Sequence, residues 1–138
     1  MIDVIEALAD CIQRFEGWYP PGSTTGGVKG STSWRNRNPG NLRDSFSKIG
    51  MDDKGYAIFM DLAHGWSALL ADLEAKFKGS HGLTPASTLH DLFSIYAPPT
   101  DNNDPQQYSR TIALWLSKIY NAQVTPDWKL EDILKLGK

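Results

Sequence analysis

The sequence predicts an α+β fold that is mainly helical. In several stretches apolar residues recur at three- and four-residue steps, the pattern of amphipathic helices. Only one stretch, residues 55–59, is short and β-prone, and it follows a turn at residues 51–55. With 138 residues, 41% of them hydrophobic and 22% charged, the chain suits one globular domain over residues 1–138.

Composition excludes several classes of protein. A formal net charge of -2 argues against a nucleic-acid binder. The single cysteine, Cys11, rules out an intramolecular disulfide, and no apolar run is long enough to cross a membrane. The N-terminus lacks the basic and apolar regions of a signal peptide. His64, His81 and His90 are too scattered to predict a metal site, so we expect no metal and no cofactor.

The first predicted helix ends at Glu16. Its N-cap is Asp3, and Gly17 supplies a left-handed stop after the last turn. The apolar face of this helix comprises Ile2, Ile5, Leu8, Ala9, Ile12 and Phe15.

Turn-forming and amide-rich residues follow. Residues 20–33 are rich in Pro, Gly, Ser and Thr, and apolar residues do not recur among them at helix or strand spacing, which predicts a mobile surface loop. Residues 36–43 read Asn-Arg-Asn-Pro-Gly-Asn-Leu-Arg, and their side-chain amides suit the hydroxyl and acetamido groups of a sugar or, alternatively, the backbone of a turn. A small hairpin is expected between residues 42 and 60.

Four further helices are predicted, giving about five helices and one small sheet. The first covers residues 62–78, between Asp61 as N-cap and Gly79. A shorter helix follows the capping-box residue Thr88. The next begins at Pro105 after Asp104, and the last is expected to be capped by Thr125.

Glu16 is the leading candidate for chemistry. The partial negative charge of a helix C-terminus works against an anion at this position. Phe15, Trp18 and Tyr19 add apolar surface that would penalise ionisation further. The sequence therefore suggests a raised pKa for Glu16 and a role as general acid, although an inert glutamate at a helix end would have the same spacing.

Several motifs together resemble the lysozyme-like and lytic-transglycosylase-like domains of bacteria, phages and prophages. They are Arg-Phe-Glu-Gly at 14–17, the block at 36–43, Gly-Tyr-Ala-Ile-Phe at 55–59, Tyr-Ala-Pro-Pro at 96–99, Asn-Asn-Asp-Pro at 102–105 and Tyr108. The resemblance covers roughly residues 5 to 116. It implies a lysozyme-like fold in which helices and a small hairpin flank a substrate groove, and an enzyme, a muramidase-type glycosidase or a lytic transglycosylase, that cleaves the β-1,4 bond between N-acetylmuramic acid and N-acetylglucosamine.

The resemblance also implies the site. Glu16 matches the catalytic acid, and Tyr96 matches a tyrosine that often closes the groove but could equally be a core residue. The substrate-binding residues that it implies are Asn38, Asn41, Arg43, Tyr56, Tyr96 and Tyr108. Gly17 replaces the serine that follows the acid in many lytic transglycosylases. No second carboxylate is fixed by spacing, and the candidates are Asp44, Asp52 and Asp53.

Two other classes of function remain open at this stage. One is an inactive cell-wall-binding or virion structural module, and the other is an adaptor that binds a protein. For the enzyme we expect a monomer whose partner is the peptidoglycan glycan strand and which has no nucleic-acid partner. Without a signal peptide, it would reach the cell wall by phage-type release, delivery or carriage in a virion, and would otherwise be cytoplasmic.

Overall fold

The computed structural model describes residues 3–138, of which about half are helical, with one two-stranded antiparallel sheet. The predicted α+β class, dominated by helix, is confirmed. Ile2, predicted for the apolar face of the first helix, lies outside the described residues. The elements in chain order are α1 (Val4–Glu16), α2 (Thr32–Arg35), β1 (Gly50–Met51), β2 (Ala57–Ile58), α3 (Leu62–Phe77), α4 (Leu89–Tyr96), α5 (Pro105–Tyr120) and α6 (Leu130–Ile133), with 3₁₀ turns at Ser80–Gly82 and Pro99–Asp101.

The chain divides into two compact units. The first comprises Met1–Cys11 with Leu73–Lys138, and the second comprises Ile12–Asp72. That residues 1–138 form one domain stays a prediction.

In the first unit, α4 packs against α5. Fully buried apolar side chains supply the packing, because the helices present them at helical spacing. They include Leu89, Leu92, Phe93, Tyr108, Ile112 and Leu116. Thr88 and Asp91 form the predicted capping box of α4, and the Asp104 carboxylate accepts from the N–H groups of Gln106 and Gln107 at the start of α5.

In the second unit, a small hairpin is tied to the amide-rich block. Strand β1 pairs with β2 in the register Gly50 with Ile58 and Met51 with Ala57. The carbonyl of Asn36 accepts from the N–H of Phe59 at 2.9 Å, and the carbonyl of Leu42 accepts from the N–H of Ala57 at 2.9 Å. These bonds extend the hairpin ladder onto residues 36–42, which fixes that block against β2.

A glycine in α3 allows the helix to approach the same block. A Cβ atom at Gly65 would collide with the carbonyl oxygen of Arg37 and would lie 3.0 Å from Cδ of Pro39. Only glycine fits this contact, because real Cβ atoms essentially never come so close to backbone atoms.

Most of the predicted helix boundaries are confirmed. The Asp3 carboxylate accepts from the N–H of Ile5 at 2.8 Å, and the Asp61 carboxylate accepts from the N–H of His64 at 2.8 Å, so both act as N-caps. The predicted start of the last helix at Thr125 is wrong. Residues 125–128 form a turn, in which the N–H of Trp128 donates to the carbonyl of Thr125 at 3.1 Å, and α6 begins only at Leu130.

None of the helices within residues 3–138 combines the length and apolar character that crossing a bilayer requires.

Candidate active site around Glu16

Glu16 is the last residue of α1 and its side chain is half-buried. Gly17 follows with φ 87°, and its N–H donates to the carbonyl of Gln13 at 3.2 Å. A Cβ at position 17 would lie 2.9 Å from Cε2 of Tyr19. The positive φ favours glycine at this position, because a side chain is strained in the left-handed region.

Asn41 contacts the Glu16 carboxyl directly. Its Nδ2 donates to Oε1 of Glu16 at 3.2 Å, and its backbone is left-handed with φ 48°. Among the described residues, Oδ1 of Asn41 is the one buried side-chain oxygen or nitrogen without a hydrogen-bond partner. An unpaired buried acceptor costs about 1–3 kcal/mol, and such groups are few in folded proteins.

Asn38 builds the turn that presents Asn41. Its side chain is 0% exposed. Nδ2 donates to the carbonyls of Leu42 at 2.8 Å and Ala57 at 2.9 Å, while Oδ1 accepts from the N–H of Leu42 at 2.9 Å. The N–H of Asn41 donates to the carbonyl of Asn38 at 3.1 Å. Asn38 was predicted to bind substrate, but with its amide enclosed by backbone it has no surface that could touch a ligand.

The residues after Glu16 are fastened to the start of α2. Oγ of Ser33 donates to the carbonyl of Gly17 at 2.8 Å, and Oγ of Ser31 accepts from the N–H of Tyr19 at 3.0 Å. The predicted loop at residues 20–33 therefore ends earlier than expected, because α2 begins at Thr32. These bonds hold both ends of the loop, while its predicted mobility stays a prediction.

Exposed Arg43 contacts half-buried Tyr56, which lies in the turn of the hairpin. The guanidinium carbon of Arg43 lies 4.5 Å from the centroid of the Tyr56 ring. Nη1 of Arg43 donates to the carbonyl of Lys54 at 2.9 Å. This cation–π contact presents a guanidinium and an aromatic ring side by side, both suited to contacts with a polar ligand.

The three candidates for a second catalytic carboxylate, after Glu16, differ in their burial and hydrogen bonds. Asp44 is exposed, and its bonds with Lys48 and with the N–H of Ser45 lower its pKa. Burial alone would raise the pKa of Asp52, but hydrogen bonds from the Asn36 amide and from the N–H groups of Tyr56 and Lys54 outweigh burial and lower it. Asp53 is exposed in the same turn. Asp52 is thus an ionised carboxylate fixed in place by several donors.

Two tyrosines of the first unit, Tyr96 and Tyr108, lie in one aromatic cluster. Tyr108 is 1% exposed and stacks on Phe93 with ring centroids 4.5 Å apart. Tyr96 is half-buried and meets both rings edge to face, at centroid distances of 5.9 Å and 6.2 Å. Tyr108 was predicted to bind substrate, but its burial makes it a core residue, while Tyr96 combines core contacts with partial exposure.

Sequence reasoning missed Lys76 and the bond between Asn36 and Asp52. Lys76 is only 5% exposed, and its Nζ lies 5.5 Å from the centroid of the Tyr96 ring. A lysine in an amphipathic helix normally faces solvent, so nothing in the sequence indicated that Lys76 is buried beside Tyr96. Asn36 was noticed within the amide-rich block, but its bond to Asp52 joins residues 16 positions apart, which spacing alone could not reveal.

Among residues 3–138, no group of three or more His, Cys, Asp and Glu side chains is arranged to hold a metal ion. None of the family models, curated proteins or solved structures with which the chain was compared matches it.

Proposed function

We propose that the chain is a peptidoglycan-cleaving enzyme with a lysozyme-like or lytic-transglycosylase-like fold, and that Glu16 is its general acid and base. The substrate is the β-1,4 bond between N-acetylmuramic acid and N-acetylglucosamine. The observation that supports this most strongly is the pairing of Glu16 with Asn41. A carboxyl at a helix end is held by an amide whose second polar atom is buried and unpaired within the described residues.

The first chemical step uses the proton on Glu16. The protonated carboxyl donates it to the leaving glycosidic oxygen while the sugar acquires oxocarbenium character. Asn41 keeps the carboxyl in one orientation through the bond from its Nδ2 to Oε1 of Glu16. A carboxyl held in one orientation is already positioned to transfer its proton when the glycan binds.

The second step has two forms. In a hydrolase, an ionised carboxylate assists attack by water, and Asp52 is our choice because its donors fix it and lower its pKa. In a lytic transglycosylase, Glu16 acts alone, and the acetamido and 6-hydroxyl groups of the sugar complete the reaction. Mass spectrometry of digested cell wall separates the two, since only the second leaves 1,6-anhydro ends.

Zymography on purified cell wall tests the proposal. The wild type should clear the wall, and Glu16→Gln should not. The matched control is Glu6→Gln, an exposed glutamate in the first turn of the same helix, which should clear like the wild type. If neither the wild type nor Glu16→Gln clears but both sediment with cell wall, the chain is a binding or virion module. If neither protein clears the wall or sediments with it, the chain is a protein-binding adaptor and not an enzyme.

The site of action follows from the substrate. A peptidoglycan-cleaving enzyme acts on the cell wall, which we propose it reaches as a monomer after phage-type release, delivery or carriage in a virion.

A further inference from the structure

The first unit contains a cavity near the C-terminus, with a volume of about 490 Å³. This volume falls within the range of roughly 300–1,000 Å³ that small-molecule sites occupy. The lining residues are Asp127, Trp128, Lys129, Asp132, Lys135 and Leu136. All of them belong to the segment that joins α5 to the C-terminus, and Trp128 is the only aromatic among them.

The backbone that carries Trp128 is fastened to the start of α4. The carbonyl of Trp128 accepts from the N–H of Leu89 at 2.9 Å, and Lys129 forms an antiparallel bridge with Thr88. On the next residue, the N–H of Leu130 donates to the carbonyl of Ser87 at 2.8 Å. On the other side of the tryptophan, the carbonyl of Pro126 accepts from the N–H of His90 at 3.0 Å. The backbone at Trp128 is therefore fixed before a ligand binds.

The polar groups of the cavity are available to a ligand. Trp128 is half-buried, and its indole N–H has no hydrogen-bond partner among the described residues. Within the same residues, the exposed side chains of Asp127 and Lys129 form no ion pair, whereas Lys135 and Asp132 lie 3.7 Å apart. The cavity therefore offers an aromatic face, one free N–H, a carboxylate and an ammonium group.

The balance of charge narrows the class of ligand. Two carboxylates and two ammonium groups cancel, which disfavours a phosphate-rich ligand or a polycation. A quaternary ammonium group favours a cage of several aromatic rings, and only one ring is present. A neutral sugar fits, because the apolar C–H face of a pyranose covers an indole ring while its hydroxyl and amide groups meet mixed donors and acceptors.

We propose that this cavity is a saccharide-binding site in which Trp128 stacks on a pyranose ring and Asp127 and Lys129 bond its polar substituents. The natural ligand would be an amino sugar of the peptidoglycan strand, and in that respect the inference rests on the proposed function. The site holds a glycan at a place other than the Glu16 carboxyl and takes no part in bond cleavage.

The test follows the indole N–H signal of Trp128 by ¹H–¹⁵N NMR during titration with N-acetylchitotriose. Trp128→Phe assigns the signal by removing it. We expect a saturable shift of this signal in the wild type, and at least a fivefold weaker apparent affinity in Asp127→Asn and in Lys129→Ala. Both substituted side chains are exposed, so these variants should fold. The control is Leu114→Ala, an exposed apolar residue of α5, which should titrate like the wild type.

The inference is overturned if the Trp128 signal does not shift, or if all variants give the same affinity. Comparing this titration with cell-wall cleavage by the wild type separates the two proposals. A Trp128 response in a wild type that does not cleave cell wall would keep the saccharide site and refute the enzyme. Cleavage by a wild type that shows no Trp128 response would keep the enzyme and refute the saccharide site.

Discussion

Asn38 should be among the largest single contributors to stability in the second unit. Replacing it by alanine removes three hydrogen bonds, two to the carbonyls of Leu42 and Ala57 and one from the N–H of Leu42. Each is worth about 1 kcal/mol net, and the N–H of Leu42 loses its acceptor, at about 1–3 kcal/mol where water cannot enter. The Leu42 carbonyl keeps the bond from the N–H of Ala57. We therefore expect Asn38→Ala to lower the free energy of unfolding by about 3–5 kcal/mol.

Urea unfolding followed by circular dichroism measures this loss directly. Asn38→Asp makes the test sharper, because the carboxylate keeps the acceptor for the Leu42 N–H but faces two carbonyls without a donor. It should be nearly as destabilising as alanine near neutral pH and less so in acid, where the added proton restores one donor. A loss below about 1 kcal/mol in Asn38→Ala would refute the scaffold role and reopen a role in binding.

Three further predictions concern the same unit. Asn41→Gly keeps the left-handed backbone but removes the side-chain amide, so the free energy of unfolding should change by less than about 1 kcal/mol. Cell-wall cleavage should fall about 100-fold, and dye release equal to that of the wild type would contradict the pairing of Asn41 with Glu16. Gly65→Ala gains about 1 kcal/mol in helix propensity, but the added methyl group collides with the carbonyl of Arg37. Urea unfolding should therefore show a net loss of about 1–3 kcal/mol in the free energy of unfolding, and a more stable variant would contradict this prediction. The pKa of Asp52 is lowered in the folded state, so its ionised form stabilises the fold above about pH 4, and this contribution disappears as the pH falls through the folded pKa. Asp52→Asn should therefore melt at a lower temperature at pH 7 and lose less stability on acidification than the wild type, and parallel pH curves for the two proteins would rule this out.

Local signals predicted the helices well, because their caps act within four residues. Asp3, Asp61, Thr88 and Asp104 each bond backbone N–H groups two or three positions ahead, as their spacing indicates. Thr125 has the same local signature, yet its segment forms a turn. The N–H groups of Leu89 and His90 in α4 donate to the carbonyls of Trp128 and Pro126, and such long-range bonds have no local sequence signal.

The candidate site was predictable only in part, for a similar reason. The glutamate at the helix end and the amide-rich block are both local features, so the sequence identified them. It could not distinguish Asn38 from Asn41, because the difference depends on which amide faces the backbone of β2 and which faces Glu16. Nor could it foresee that Tyr108 is enclosed by its own cluster, since a tyrosine on a helix face has the same spacing in a core and in a groove.

The central claim is that Glu16 transfers the proton in glycan cleavage. The most direct measurement is the rate at which soluble muropeptides leave purified peptidoglycan, quantified by mass spectrometry for the wild type, Glu16→Gln and Glu6→Gln. We predict that Glu16→Gln releases them about 100- to 10,000-fold more slowly, the range that general acid catalysis supplies, while Glu6→Gln matches the wild type. Equal release by the wild type and Glu16→Gln would contradict the account.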